Sequence, residues 1–273
     1  MQAMQLPVEK LRPFEGHPFQ VKDDAEMDQL VFSILTQGLL TPISVRPIEN
    51  GEYEVISGHR RLHACKKAGI ETVPALIYPL DRDAATIAMV DSNLHREKIL
   101  PSEKAFAYKM KFDAMYHQGR TSGQVGQKWT RDQISEGESG RQVQRYIRLT
   151  ELIPEILIMV DNSKIALTPA VEISYLTKQE QRDLLETMES EDCTPSLSQA
   201  MQLKKLSQSG LLTMDSIFNL LREPKANQQD KISFRVDDLR RYFPKSYSAA
   251  RIQETILKLL SDYQKKRNRD ISR

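Results

Sequence analysis

The chain has 273 residues, 40% of them hydrophobic and 28% charged, with 11 Gly and 13 Pro. At roughly 150 residues per domain that makes about two domains with room for a small third, and the composition excludes collagen-like and wholly disordered classes. No apolar run approaches the roughly 18 residues of a membrane span and no export signal opens the sequence, so a cytoplasmic protein with no membrane partner is expected. The net charge of +2 hides an asymmetry. Lys and Arg number 11 against 14 Asp and Glu over 1–100, 10 against 8 over 101–165, 6 against 10 over 166–230, and 12 against 5 over 231–273. The basic C-terminus suits a polyanion such as nucleic acid or, equally, a solvated tail. Cys65 and Cys193 stand too far apart for a local motif and read as plain reduced thiols.

Met27, Leu30, Val31, Ile34 and Leu35 recur at helical spacing and predict an amphipathic helix over about 24–37, stopped at Gly38. Ile43 to Ile48 and Tyr53 to Ile56 read as a hairpin about the Glu49-Asn50-Gly51 turn. A short helix over about 59–68 buries Leu62, Cys65 and Ala68 and stops at Gly69. Val73, Ala75 and Ile77 alternate as a strand that Pro74 places at a sheet edge, and an Ala-rich helix follows over about 82–94. From Pro101 the pattern is helical. Pro101 and Ser102 open a helix with Phe106, Met110 and Ala114 or Met115 along one face. Thr168 and Pro169 read as an N-cap and a first-turn proline, and no strand is convincing before about 232. Glu223 to Asp230 reads as a linker. Ile252, Ile256, Leu259, Leu260 and Tyr263 form the apolar stripe of a last helix, which the body or a second copy must cover.

Three constellations carry chemistry. Ser57-Gly58-His59-Arg60-Arg61 lies between a strand and a helix: Gly58 permits an unusual turn, free N–H groups point out of the helix start, and two guanidinium groups follow, which together suit a phosphate. The competing reading pairs these arginines with Glu52, Glu54 or Asp91. The spacing is not that of a Walker A loop. Asp91-Ser92-Asn93-Leu94-His95-Arg96-Glu97 offers amide, guanidinium and carboxylate groups to phosphate oxygens or to Mg²⁺, or else is a polar helix end that complements the dipole. His59 and His63 are four apart, but Arg60 stands where H-E-x-x-H has its glutamate, so zinc is not supported, and no Gly-x-Ser-x-Gly elbow supports acyl transfer.

The third constellation spans about 121–149. A helix over about 130–136, a turn at Gly137 to Gly140 and a second helix from Arg141 to about Leu149 have the layout of a helix-turn-helix. Val143, Tyr146 and Ile147 share its inner face. Arg141, Arg145 and Arg148 share the outer one with Gln142 and Gln144, the residue types that read guanine and adenine or hold phosphates. A plain helical hairpin with a solvated basic face is the alternative.

Taken in order, these residues resemble the ParB family of plasmid and chromosome partition proteins. Gly38-Leu39-Leu40-Thr41-Pro42-Ile43 resembles its G-x-x-x-P-I segment, Tyr53 through Leu62 its strand and Gly-Glu-Arg-Arg box, and Asn93-Leu94-His95-Arg96-Glu97 its Glu-Asn-x-Gln-Arg-Glu box, followed by Pro101, Glu103 and the helix-turn-helix. The match runs over about 20–180. The resemblance implies an α+β, sulfiredoxin-like nucleotide-binding domain over 1–100, an all-α DNA-binding domain over 101–223 with its helix-turn-helix at about 128–149, and a small basic dimerisation or DNA-contact segment over 231–273. It also implies CTP and Mg²⁺ as cofactors, with Gln20, Ser57, Gly58, His59, Arg60, Arg61, Asn93 and Arg96 at the nucleotide and Asn93 at the metal. Arg141, Gln142, Gln144, Arg145 and Arg148 would meet DNA. The implied partners are a palindromic double-stranded site, a second copy of the chain and a ParA-type ATPase, in a nucleoid- or plasmid-associated protein.

The departures shape the expectation. His59 replaces the Glu of the Arg-Arg box, Val21-Lys22 replaces Pro-Arg after Gln20, His95 replaces Gln, and Ser92 replaces the Glu that the family associates with turnover, so CTP hydrolysis is expected to be weak or absent. The leading reading is a CTP-gated, dimeric DNA clamp serving segregation. The alternatives are a helix-turn-helix transcriptional regulator without nucleotide switching, and an enzyme on the same N-terminal fold. A sulfiredoxin-like ATPase fails because Gly58, not Cys, precedes His59-Arg60, and a small-molecule kinase leaves the basic helical face without a use.

Overall fold

The hairpin expected over 43–56 is the centre of a five-stranded sheet. The computed structural model describes residues 3–96, 98–121, 137–222, 242–244 and 246–271. Strands β1 (Met4–Pro7), β2 (Leu11–Arg12), β3 (Ile43–Pro47), β4 (Tyr53–Ser57) and β5 (Thr72–Ile77) stand in the order β1-β5-β3-β4-β2. β3 and β4 pair antiparallel with Val45 opposite Val55, and the Glu49–Gly51 turn joins them with Asn50 at φ 63°. β5 lies parallel to β3 and antiparallel to β1. It is therefore an internal strand, which corrects the edge position expected from Pro74. The proline sits opposite Gln5 and ahead of the β3 register, which begins at Ala75, so no β3 carbonyl looks to it for an N–H.

Helices cover both faces of the sheet. The first is α1 (Ala25–Gln37), opened by the Asp24 carboxylate accepting from Met27 N at 2.9 Å and closed at Gly38, φ 73°. With α2 (His59–Lys67) it packs Met27, Ile34, Leu62 and Cys65 onto Ile43, Val45, Val55 and Val73. The apolar stripe of α1 is narrower than its periodicity suggested, because Leu35 faces outward. In α2 it is Ala64, not Ala68, that is buried. On the other face α3 (Arg82–Leu94), capped by Asp81, packs Ala85, Met89 and Val90 against Phe14, Phe19 and Ile56. β4 is thus buried from both sides, Val55 toward one helical layer and Ile56 toward the other.

The helical part of the chain begins with α4 (Pro101–Thr121), which packs along α3. Its buried apolar positions are Ala105, Ala107, Tyr108, Ala114 and Met115, while Phe106 is exposed, contrary to the face expected. Then follow α5 (Gly140–Leu149), α6 (Pro154–Asp161), α7 (Leu167–Ile173), α8 (Lys178–Ser190), α9 (Leu197–Gln208) and α10 (Met214–Arg222). Leu149, Ile156, Ile173, Leu184, Leu203 and Ile217 make their common core. Capping boxes at Thr177/Glu180 and Ser196/Gln199 set the starts of α8 and α9 by satisfying donors that have no helical partner. α7 begins two residues earlier than expected: Ala166 is its N-cap and Pro169 falls inside the first turn, where a missing N–H costs nothing.

These elements belong to one unit, Met1–Glu223; a second unit spans Pro224–Arg273 and holds α11 (Ala249–Ile271). In α11 Ile252 is buried and Leu257, Leu259, Leu260 and Tyr263 are exposed. The helix expected over 130–136, the linker over 223–230 and the strand near 232 lie outside the described residues. Neither Cys65 nor Cys193 is in a disulfide. Among the described residues no helix is long and apolar enough to cross a membrane.

Candidate functional site

The chain leaves β4 at Ser57 and enters α2 through Gly58, whose φ of 104° and ψ of 24° are left-handed, a conformation a glycine adopts without a Cβ penalty. A Cβ there would stand 3.1 Å from Arg61 Nη2. The Arg61 guanidinium is therefore seated against the turn, and its Nη1 donates to the carbonyls of Thr41 at 2.7 Å and Pro42 at 2.9 Å. Burial draws its pKa down. Arg60 reaches the first turn of α1, 3.3 Å from Glu26 Oε2 and 3.6 Å from Asp24 Oδ1. The acids that would have absorbed these arginines are engaged elsewhere. Glu52 pairs with Arg12, Glu54 with Arg46 at 2.7 Å and Arg82 at 2.5 Å, and Asp91 with Lys111 at 2.5 Å. Among the described residues Arg61 has no carboxylate partner.

His59 turns into the wall behind the turn. It is 7% exposed, its Nε2 accepts from Phe14 N at 3.2 Å, and its ring lies 3.7 Å from that of His17. Burial, helped by the charge of Arg96 and by His17, holds its pKa down at about 3, so the imidazole is neutral. Burial also lowers His17. The His17 ring meets Phe19 edge-on, and its Nε2 is buried with no hydrogen-bond partner among the described residues.

The stretch after α3 closes the site from the other side. The Arg96 guanidinium lies 5.5 Å over the Phe19 ring, close enough to His17 and His59 that its charge acts on both, and close enough to Arg60 to feel its charge. Asn93 is buried; its Nδ2 donates to Met89 O at 2.8 Å and to Ser92 Oγ at 3.1 Å. Glu103, buried in the first turn of α4, accepts from Gln20 N at 2.8 Å through Oε1 and from Leu100 N at 3.0 Å through Oε2. The fold thus brings Arg96 beside the His59 and Arg60 of the turn and ties Gln20 to Glu103, while the Asn93 amide is engaged within its own helix. Glu103 and His17 are the members that sequence reasoning left without a role. The signal for Glu103 was its place at the third helical position, from which a glutamate reaches back to the N-cap N–H.

The donor set fits a triphosphate: main-chain N–H groups at the start of α2 without helical acceptors, and three guanidinium groups around them. No three His, Cys, Asp or Glu residues converge on a metal site among the described residues. A hard cation here would be held mainly by phosphate oxygens and water, with Asn93 Oδ1 the protein oxygen that the family resemblance would assign to it, which is the way Mg²⁺ is commonly bound.

A second candidate surface lies on α5. Ser139 caps the helix, accepting from Gln142 N at 3.3 Å. Val143 and Leu149 are buried, Tyr146 and Ile147 half-buried, and Arg141 exposed. Arg145 donates to Gln142 Oε1 at 3.1 Å and to Thr168 Oγ1 at 2.5 Å. Arg148 donates through Nε to Ser174 Oγ at 3.1 Å and through Nη2 to Ser174 O at 2.8 Å. The basic side of α5 therefore runs along α7, with Arg141 outward at its N-terminal end and Arg148 anchored at its C-terminal end.

A family model described as the ParB N-terminal domain matches residues 1–94. The nucleoid occlusion protein of Bacillus cereus (strain B4264) is 40% identical over 109 residues, 40% of this chain and 37% of that protein. The nucleoid occlusion protein of Geobacillus sp. (strain WCH70) is 37% identical over 108 residues, 39% of this chain and 38% of that protein. The match therefore spans well under half the length of these relatives. The C-terminally truncated chromosome-partitioning protein ParB from Caulobacter crescentus, in its complex with the centromeric parS site, is 22% identical, with 81% of this chain and 100% of that chain covered and a TM-score of 0.45.

Proposed function

We propose, from the match of residues 1–94 to the ParB N-terminal domain, that the chain is a sequence-specific DNA-binding partition protein, a dimeric clamp on a centromere-like palindrome, gated by CTP and Mg²⁺ at the Gly58 turn. The observation that carries the nucleotide half is the convergence of the left-handed Gly58, Arg61 without a carboxylate partner among the described residues, and Arg96. CTP supplies a polyanion whose γ-phosphate end is a removable source of charge. The α2 N–H groups and Arg61 hold its phosphates, Arg60 exchanges Asp24 and Glu26 for them, and Arg96 closes from the α3 side. Gln20 is held in reach by its backbone bond to Glu103. Asn93 Oδ1 and the phosphates hold Mg²⁺.

On the helical side Arg141, Gln142, Gln144 and Arg145 meet the major groove and phosphate contacts supply the affinity. The exposed apolar stripe of α11 joins two copies, which matches a two-fold site. A ParA-type ATPase is the partner such a clamp would use. The names of the nucleoid occlusion relatives favour a place on the nucleoid.

Calorimetry on the full chain with CTP, ATP and GTP in Mg²⁺ tests the nucleotide half, and a genome-wide DNA enrichment profile tests the clamp. Binding heat for CTP alone and broad spreading from a palindrome are expected; no heat for any nucleotide, with narrow peaks, would replace the clamp by a plain regulator. One observation favours that second reading: Arg60 already faces Asp24 and Glu26, and His59 is turned inward.

A further inference from the structure

The helical part of the chain holds a second group of cations, centred on Tyr175 in the turn that follows α7. The Arg148 guanidinium lies 4.2 Å over the Tyr175 ring and the Lys204 ammonium, from α9, lies 3.7 Å over the same ring. Two helices, α5 and α9, therefore deliver like charges to one aromatic side chain, carried by the turn after α7, that is itself 42% exposed. Each cation is held from behind: Arg148 by its two bonds to Ser174, Lys204 by Glu172 at 2.9 Å. A purely architectural role accounts poorly for this. An exposed cation–π contact contributes only about 0.5–1 kcal/mol, the repulsion between the two cations opposes it, and α7 and α9 already share the apolar core through Ile173 and Leu203.

The position on α5 decides what the group meets. A recognition helix reads base edges with its N-terminal residues, and here that end carries Arg141 and Gln142. Arg148 is in the last turn, pinned at its Nε side and lying along α7. Lys204 is a compact point charge with no planar fork for a base. We infer that Arg148, Tyr175 and Lys204 form a clamp for the sugar-phosphate backbone of duplex DNA beside the reading end of α5, with Tyr175 as the positioning residue that keeps both cations ordered before DNA arrives. The inference rests on the DNA-binding reading above and divides its labour: Arg141 and Gln142 discriminate sequence, while the Tyr175 group supplies affinity without sequence preference.

The test uses the full chain and a random-sequence duplex of about 30 base pairs, roughly three helical turns, followed by fluorescence anisotropy across a salt series. Lys204→Gln should weaken binding about three- to tenfold and flatten the log–log salt slope by about one, the signature of one lost phosphate contact. Tyr175→Leu should flatten it as much, and Tyr175→Phe, which keeps the ring, should restore the slope. Arg141→Ala is the comparison. If Lys204→Gln and Tyr175→Leu match the unaltered chain in affinity and slope, whatever Arg141→Ala does, the clamp is overturned and the DNA reading stands. If the unaltered chain does not bind duplex at all, the DNA reading falls and takes the clamp with it. Lys204→Gln leaves the buried core untouched, so it separates loss of contact from loss of fold.

Discussion

Replacing Gly58 with alanine perturbs the proposed nucleotide site at its most constrained backbone position. At φ 104° an L-residue costs about 1–2 kcal/mol relative to glycine. The new Cβ would also stand 3.1 Å from Arg61 Nη2 and 3.3 Å from its Cζ, and the guanidinium is not free to retreat, because Nη1 holds the carbonyls of Thr41 and Pro42. Bonds of this charge-assisted kind contribute roughly 1.5–3 kcal/mol each, of which a shift of a few tenths of an ångström forfeits a fraction. The sum is about 2 kcal/mol, which for a unit of this size lowers Tm by about 4–8 °C. The more telling comparison is thermal denaturation with and without CTP and Mg²⁺. A ligand at a hundred times its Kd stabilises the unaltered chain by about 2.7 kcal/mol, and that increment should disappear in Gly58→Ala, since both the N–H groups of the turn and Arg61 have moved. A variant that melts with the unaltered chain refutes the strain argument. One that melts lower yet gains the same increment from CTP shows that the turn is structural and that the triphosphate, if bound, lies elsewhere.

The buried His59 gives a pH prediction. Its folded pKa of about 3 lies below the ordinary 6.5, burial being the main cause with His17 and Arg96 adding to it. The unfolded chain therefore binds the extra proton between about pH 6.5 and 3, and stability is lost as pH falls through that window by up to about 1.4 kcal/mol per unit. Urea midpoints at pH 7 and 5 should show a shallower loss in His59→Gln than in the unaltered chain; equal losses would remove His59 from the acid limb. Arg145→Ala should weaken binding to a duplex selected from a random library by roughly 1–3 kcal/mol or relax its specificity, and unchanged binding would take Arg145 out of the interface. Phosphate release with CTP and the selected duplex should be weak or absent, because Ser92 turns its hydroxyl back to Met89 O at 2.9 Å and offers no carboxylate. Ser92→Glu should raise it, and rapid turnover by the unaltered chain would refute the reading.

The hairpin, α1, α2, α3 and the Gly58 turn were legible because each is written locally, in periodicity, a capping aspartate or a glycine at a positive φ. What was not legible depends on partners distant in sequence. β1 and β2 are four and two residues long, too short for a pattern, and they exist because β5 and β4 offer them an edge; without β1, Pro74 reads as an edge residue. Phe106 sat on the expected apolar face of α4, but the side of α4 that meets α3 and α5 is lined by Ala105, Ala107 and Tyr108, small residues that periodicity underrates. In the candidate site, Gly58 and Arg61 were singled out by their chemistry and Arg96 by the family resemblance. The inward turn of His59 was not, because it requires the Phe14 N–H and the His17 ring, supplied by a loop 45 and 42 residues earlier in the chain.

α4 is where the two candidate sites meet. Glu103 in its first turn fixes the Gln20 loop beside the nucleotide site. The next residue, Lys104, pairs with Glu138 in the turn that precedes α5, and Tyr108, one helical turn on, donates to the same carboxylate at 3.1 Å. A helix touching both candidate sites through adjacent residues would give a bound nucleotide a short mechanical path to α5. The physical requirement is an arrangement of the Gln20 loop that differs between the bound and free states, since a ligand shifts an equilibrium only by its differential affinity for the two forms. Arg96 has the position to set that difference. Its charge faces neutral His17 and His59 and is balanced at longer range by Glu103, so a triphosphate arriving beside it competes with the carboxylate that holds Gln20. Signalling along α4 would then begin as an exchange of anions at one guanidinium and reach α5, the proposed DNA-facing helix, through Lys104 and Glu138.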